Sequence, residues 1–317
     1  MRLAVLGAGA VGSSVAELAG EYGHTVTAMA DSGSAAVDAD GVDVSGALAR
    51  KADEGAVGTS DPEAALEAEY DVLVEATPTT LGDAQPGYGH CEAALERDRH
   101  VVLANKGPVA ERYGDLMGLA DDSAGDVLFE ATVGGAIPVL STIADFGPNQ
   151  VTAARGVLNG TANFILTRMA AEGLDYEHVL AEAQDLGVAE ADPTFDVEGT
   201  DAALKCVILA NVLGEDGTYA LADADVEGIS EVPTSALDLA GEDGRTVRLI
   251  GEVAGGEVRV GPRLVPENSA LAVSGTRNIV QFETRHAGRL NISGRGAGGP
   301  ETATAVLADV GRLPPLE

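Results

Sequence analysis

Apolar and polar residues follow two different rhythms along this chain, and the change of rhythm divides it. At the start, Leu3 to Leu6 reads as a strand, Gly7 to Gly12 as a glycine turn, Ser13 to Tyr22 as a helix and Thr25 to Met29 as a second strand, which is a βαβ opening. Short apolar runs follow at Asp71 to Glu75 (DVLVE), His100 to Leu103 (HVVL) and Asp126 to Phe129 (DVLF), separated by stretches able to form helices. Strands that alternate with helices predict a parallel sheet, because each crossover lays a helix over one of its faces. After about Gly134 the texture changes. Helical patterns span Thr161 to Ala171, Tyr176 to Asp185 and Asp201 to Leu213, and a β-rich stretch follows at Val247 to Val253, Glu257 to Leu264, Ile279 to Glu283 and Arg289 to Ile292. These patterns predict a first α/β domain over 1–133 and a second, α+β domain over 134–295. The chain closes in GRGAGGPETATAVLADVGRL, a glycine turn and a helix, so 296–317 is expected to return and complete the first domain.

The length, 317 residues, suffices for two domains with buried cores. No run of about 20 uncharged apolar residues exists to span a bilayer. The N-terminal apolar stretch is too short and too rich in glycine for a secretory signal, so the expected location is the cytoplasm, with no membrane contact. Cys91 and Cys206 lie far apart, with no Cys-x-x-Cys pair and no histidine cluster, which argues against disulfide and zinc chemistry. Charge changes the picture most. With 51 acidic and 19 basic residues the net charge is -32, a surface that repels DNA and RNA. The acids are spread along the chain and form no tail, which predicts a hydrated surface suited to high salt and a halophilic source. Only three of the basic residues are lysines: Lys51, Lys106 and Lys205. Lys51, within ARKADEG, reads as a solvated side chain; the other two keep different company.

The loop Gly7-Ala8-Gly9-Ala10-Val11-Gly12 follows a strand and opens a helix, the context that a dinucleotide fingerprint requires. The first glycine permits the turn, the second lets pyrophosphate approach the backbone, and the third lets helix and strand pack closely. The phosphates then meet free N–H groups at the helix start. Asp31, 19 residues after Gly12, stands where a carboxylate bonds the ribose 2′-hydroxyl. Together these features predict a Rossmann-type, doubly wound sheet holding a nicotinamide or flavin dinucleotide. A carboxylate there repels a 2′-phosphate, which favours NAD over NADP. Two strand-end motifs, Glu75-Ala76-Thr77-Pro78-Thr79 and Ala104-Asn105-Lys106-Gly107-Pro108, fall where open α/β sheets bind ligands. Pro and Gly also simply end strands, but a lysine at a strand end in a lysine-poor chain points to function. In the densest cluster, from Gly187 through Glu190 and Asp196 to Lys205, Asp201 and Lys205 lie four apart on one helix face. Most such pairs are exposed salt bridges of little consequence. Here the helix continues as the apolar Cys206 to Ala210, so a desolvated ammonium able to give or take a proton is the alternative.

Over nearly its whole length the chain resembles homoserine dehydrogenase, through GAGAVG, ANKGP, EATVGGAIPVL, GVLNGTANFILTRM, AQDLGVAEADPTFDVEGTDAALK and GRGAGGPETATAV. The fifth block is highly specific; the first is shared with many dehydrogenases. The resemblance implies NAD(P)-dependent interconversion of homoserine and aspartate 4-semialdehyde, with Lys205 as proton donor or acceptor. It implies that Glu190 and Asp201, with Asp196 in the same block, hold the amino acid. It puts Thr77, Lys106, Gly187 and Gly298 near the cofactor. It also implies a monovalent cation, sodium, held largely by the main-chain carbonyls of Glu130, Val133, Gly135 and Ile137, and a homodimer formed through the second domain. Many members carry a C-terminal ligand-sensing domain or an aspartate kinase, whereas this sequence stops at Glu317, which leaves feedback control by threonine open. Whether Lys205 or Lys106 carries the proton stays open at this point. Two rival readings are another amino-acid or aldehyde dehydrogenase on the same cofactor domain, and a non-catalytic dinucleotide sensor. The Glu190 to Lys205 block argues against the first, and the lack of any recognisable effector segment against the second.

Overall fold

The computed structural model describes residues 1–214 and 219–316. The chain forms two compact units, Met1–Ala136 with Ala297–Glu317, and Ile137–Gly296. The divisions read from sequence, after 133 and after 295, lie within three residues of these.

The first unit is built on six strands: β1 (Arg2–Leu6), β2 (Thr25–Ala30), β3 (Ala35–Val37), β4 (Val72–Glu75), β5 (His100–Leu103) and β6 (Val127–Leu128). Their order is β3-β2-β1-β4-β5-β6, all parallel except β3, which runs antiparallel to β2. The strands are apolar without alternation because helices cover both faces; Leu3, Val5, Val72, Val74 and Val102 are all inaccessible to solvent. The winding reverses between β1 and β4, and ligands of open α/β sheets bind at such a switch point. The C-terminal helix Gly299–Arg312 supplies Ala303, Val306, Leu307 and Val310 to this same core, the Val and Leu side chains worth about 1.5–3 kcal/mol of burial each. Its buried Asp309 accepts a hydrogen bond from the Glu130 amide at 2.8 Å and pairs with Arg312 at 2.7 Å, which ties the helix to the segment after β6.

The second unit contains β7 (Val151–Val157), β8 (Ala224–Val226), β9 (Arg245–Ala254), β10 (Glu257–Pro266), β11 (Arg277–Thr284) and β12 (Arg289–Arg295), in the order β12-β11-β7-β9-β10-β8. All neighbours are antiparallel except β8 and β10. Helix Thr200–Leu213 packs against β9 and β10 and is buried at every position from Asp201 to Asn211, as expected of a helix apolar almost all round. Three strands were not read from sequence: β3, β7 and β8. The first helix begins at Ala10 and gives way to a 3-10 turn at Ala19, so Ala10, Val11 and Gly12 lie inside it and the glycine turn itself is shorter than expected. No helix among the described residues is long and apolar enough to cross a membrane. Both cysteines are buried and free.

Candidate active site

The residues singled out by sequence divide between the units. In the first, Gly7 takes φ +99°, and a Cβ there would overlap the backbone of Ala76 and Thr77 just past β4. The loop after β1 and the loop after β4 therefore touch at the switch point. A Cβ on Gly12 would overlap the Gly7 carbonyl oxygen, whereas one on Gly9 would meet nothing within 4 Å. Gly7 and Gly12 are thus required by packing, and Gly9 leaves backbone open for a ligand. Gly9 caps helix Ala10–Leu18 with no side-chain bond, so its first N–H groups are available to an anion. Gly298, at φ +125°, caps the C-terminal helix, and the next residue, Gly299, lies so close to Ala10 and Ser14 that a Cβ would crowd them. Two helix N-termini therefore meet beside the glycine loop.

Asp31 directly follows β2. One carboxylate oxygen accepts from the Gly33 and Ser34 amides at 3.0 and 2.8 Å and from the Ser34 hydroxyl at 3.1 Å; the other accepts from Lys51 Nζ at 3.1 Å. Burial pushes the carboxyl pKa up, but the Gly33 amide, Lys51 and Ser34 together outweigh it and hold the group below the usual range. Lys51 is therefore no idle solvated lysine: it sits on the carboxylate expected to read the ribose. Its partner lies 20 residues away, which a local reading of ARKADEG does not reveal.

Past β4 and β5, Thr77 donates from its amide at 3.0 Å and from its hydroxyl to Glu75, which is fully buried. Asn105 reaches the same carboxylate at 3.3 Å and the Thr77 hydroxyl at 3.1 Å. Half-buried Lys106 caps helix Gly107–Glu111, and its amide lies 3.4 Å from the Thr79 hydroxyl. Beyond β6, Glu130 starts a 3-10 turn, Val133 is buried, and Gly134 and Gly135 follow at φ +87° and +58°, a reversal open only to residues without a Cβ penalty. Glu130, Val133 and Gly135 belong to the first unit; Ile137 opens the second.

In the second unit, Lys205 Nζ donates to Asp201 Oδ2 and to the Leu158 carbonyl, both at 2.6 Å. Lys205 is 6% exposed and Asp201 7%, which removes the reading of an exposed helix salt bridge. Two of the three N–H bonds of the ammonium are committed, leaving one for a ligand oxygen. Asn159 caps helix Gly160–Glu172 by accepting from the Ala162 amide at 2.8 Å, and its amide donates to Asp196 at 2.7 Å and Asp201 at 2.9 Å. Asn278 donates to the Leu158 carbonyl at 2.9 Å. The structure thus brings Asp196, Asp201 and Lys205 together through Asn159 and the Leu158 carbonyl. None of these connectors was singled out from sequence; an Asn before an apolar helical run was a capping signal, not a site signal.

Gly187, at φ +68°, ends helix Tyr176–Asp185, and the following loop is pinned by Thr161 to the Val188 carbonyl at 3.1 Å and by Gln184 to the Glu190 carbonyl at 3.1 Å. Glu190 is exposed on that loop, and its carboxylate makes no hydrogen bond among the described residues. No cluster of three or more His, Cys, Asp or Glu side chains that could hold a metal occurs among the described residues.

A family profile described as homoserine dehydrogenase matches residues 138–310, and one described as glutamate/leucine/phenylalanine/valine dehydrogenase matches residues 1–81. A homoserine dehydrogenase of Methanocaldococcus jannaschii is 40% identical over 98% of this chain and 97% of its own length. An NAD(+)-dependent homoserine dehydrogenase of Pseudomonas canavaninivorans is 39% identical over 76% of this chain and 70% of its own. Among solved structures, a chain from Archaeoglobus fulgidus assigned to homoserine dehydrogenase superposes with TM-score 0.89 at 41% identity, covering 98% of both chains. A hyperthermophilic archaeal homoserine dehydrogenase in complex with NADPH superposes with TM-score 0.86 at 27% identity, covering 100% of this chain and 99% of its own.

Proposed function

The chain belongs to the homoserine dehydrogenase family and catalyses the NAD(P)-dependent interconversion of homoserine and aspartate 4-semialdehyde, and from that premise we propose which residues do the work. The bound dinucleotide supplies and accepts the hydride. Gly9, Ala10 and Val11 receive its pyrophosphate on backbone N–H groups at the helix start, Gly7 and Gly12 shape the loop that lets it approach, and Gly298, Thr77, Lys106 and Gly187 are further contacts. Lys205 is the acid–base group. Its uncommitted N–H points a proton at the aldehyde oxygen as that oxygen becomes a hydroxyl, and in the reverse direction the same nitrogen takes the proton back. The observation that carries this reading is the buried ammonium pinned by Asp201 and the Leu158 carbonyl, a group held in one place. Asp201, Asp196 and the exposed Glu190 grip the ammonium end of the amino acid, directly or through water. Positioning of this kind supplies much of the rate in a cofactor enzyme. Steady-state assays with homoserine, NAD and NADP at low and high salt test the whole reading. Turnover of other hydroxy amino acids in preference to homoserine overturns the substrate assignment, and the acidic surface, with its net charge of -32, leads us to expect higher activity and stability in high salt.

Substrate grip and cofactor choice can be tested separately. Glu190→Gln should raise KM for homoserine more than KM for the dinucleotide, because it removes charge while keeping shape. A change confined to the cofactor term overturns that role. Asp31 favours NAD, but Lys51 already neutralises part of its field. Asp31→Ser should weaken NAD use and admit NADP, whereas Lys51→Met should sharpen the rejection of NADP, since it exposes the carboxylate to a 2′-phosphate. Unchanged NAD to NADP ratios of kcat/KM in both variants would show that this pair is not at the ribose.

We further assign a sodium ion to the carbonyls of Glu130, Val133, Gly135 and Ile137. A buried turn through two left-handed glycines is consistent with main-chain oxygens gathered for a hard cation. A homodimer formed through the second unit and a cytoplasmic location complete the proposal. Strand β12 alternates exposed and half-buried residues along a sheet edge, a surface able to take a second copy, and light scattering gives the mass that decides it.

A further inference from the structure

Glu75 is a carboxylate with no access to solvent, placed at the C-terminal end of β4 below the loop that carries Thr77. A buried carboxylate is costly unless several donors surround it. Here four do: the Thr77 amide at 3.0 Å, the Thr77 hydroxyl, the Asn105 amide at 3.3 Å, and His90 Nδ1 at 2.7 Å on the other oxygen. His90 comes from helix Gly87–Leu95, which otherwise contributes nothing to the proposed site. Asn105 is itself fixed, donating also to the Thr77 hydroxyl at 3.1 Å and accepting from the Gly107 amide at 2.9 Å. The packing is close: a Cβ on Gly87 would crowd the Asn105 side chain, and one on Gly107 would overlap the Thr80 carbonyl oxygen. One carboxylate thus ties together the loop after β4, the loop after β5 and a helix.

Bonds of this kind do more than satisfy a buried group. Thr77 and Lys106 follow β4 and β5, the two strands on the far side of the switch point from the glycine loop, Thr77 on a stretch without regular structure and Lys106 at the start of the short helix Gly107–Glu111. Glu75 sets where Thr77 points, and through Asn105 it sets where Lys106 begins its helix. The four donors are not equivalent. Thr77 and Asn105 belong to the loops being positioned, while His90 alone comes from a regular element outside them and anchors the carboxylate from behind.

We propose that Glu75 and His90 are positioning residues for the nicotinamide end of the dinucleotide, acting through Thr77 and the Asn105–Lys106 loop without touching the ligand. This deepens the functional reading above and rests on its placement of Thr77 and Lys106 at the cofactor. His90→Ala removes the anchor and leaves the loops with one bond fewer to a charged group. The Kd for NADH, read by its fluorescence in the absence of homoserine, is expected to rise about tenfold. The KM for homoserine at saturating cofactor is expected to stay within about twofold, because no amino-acid contact is disturbed. His90→Asn carries an N–H donor at the δ position and should restore the Kd to within about threefold of the parent value. A parent-like Kd for His90→Ala overturns the proposal. So does a loss that Asn does not restore and that comes with a rise in homoserine KM and a fall in Tm, since that pattern belongs to a residue that only packs. If His90→Ala does not fold, His90→Asn and His90→Gln are compared instead. Gln places its donor about one bond farther out, so equal Kd values for the two variants count against the geometry. Failure of the parent to turn over homoserine while still binding NADH would strike the functional reading and leave this proposal to be judged on Kd alone.

Discussion

Lys205→Ala is expected to lower kcat by about 100-fold or more while leaving the Kd for NADH within about twofold, the range for loss of a positioned acid–base group. The reason lies in how the ammonium is held. Asp201 and the Leu158 carbonyl each accept one of its N–H bonds at an N···O distance of 2.6 Å, so the third is aimed without any cost of ordering at the moment of reaction. The same burial means that the substitution also costs stability. It strands the Asp201 carboxylate in the interior without its ammonium partner, and breaking a buried ion pair costs about 3–5 kcal/mol. The double variant Lys205→Ala with Asp201→Asn removes the orphaned charge. It should recover most of the lost Tm and none of the lost kcat, which separates the chemistry from the packing. Lys106→Ala is the companion measurement. It is expected to raise the dinucleotide Kd more than it lowers kcat, because Lys106 sits on a strand-end loop of the dinucleotide-binding unit. Near-normal kcat in Lys205→Ala beside an inactive Lys106→Ala would move the acid–base role to Lys106.

The dinucleotide-binding unit was legible because its strands are buried on both faces and therefore appear as unbroken apolar runs. The β7 strand was not. Its sequence, VTAARGV, carries an Arg and a Gly in what proves to be the middle of a sheet. Arg155 is accommodated because it pairs across the strands with Glu283 at 3.3 Å and Glu252 at 4.0 Å, and Gly156 is there because a Cβ would overlap the Ile279 carbonyl. Neither reason is local. Strands β3 and β8 have three residues each, too few for any alternation to register.

The site shows the same limit. A spacing of four put Asp201 and Lys205 on one helix face, and the apolar continuation of the helix pointed to burial. What fixes them comes from far away in sequence: Asn159 lies 42 residues from Asp201, and the Leu158 carbonyl 47 from Lys205. A carbonyl carries no residue-type signal at all. Lys51 failed for the opposite reason, since its acidic neighbourhood gave a sufficient local account and hid a partner 20 residues away, just past β2. Glu75 was read as part of a strand-end motif facing a ligand, yet it is the one member of that motif that no ligand can reach.

The glycine loop yields the sharpest contrast between a residue that packs and one that binds. Gly9→Ala should fold as the parent does, at a cost below about 1 kcal/mol for an N-cap change, because its backbone is extended at φ -82° and a Cβ there meets nothing within 4 Å. That open space is where the pyrophosphate must approach the N–H groups of helix Ala10–Leu18, so the Kd for NADH should rise at least tenfold, about 1.4 kcal/mol or more. Gly12→Ala should behave in the opposite order. Its Cβ would overlap the Gly7 carbonyl oxygen, a backbone atom that cannot swing aside, so helix and strand must separate. The expected cost is about 3 kcal/mol of stability, at the upper end for overpacking, and dinucleotide affinity falls with it because the loop moves as a whole. Thermal melts and NADH titrations of the two variants, run side by side, decide the matter. A Gly9→Ala protein that binds NADH like the parent places the pyrophosphate elsewhere. A Gly12→Ala protein with a parent-like Tm means that helix and strand do not pack as closely as their glycines imply.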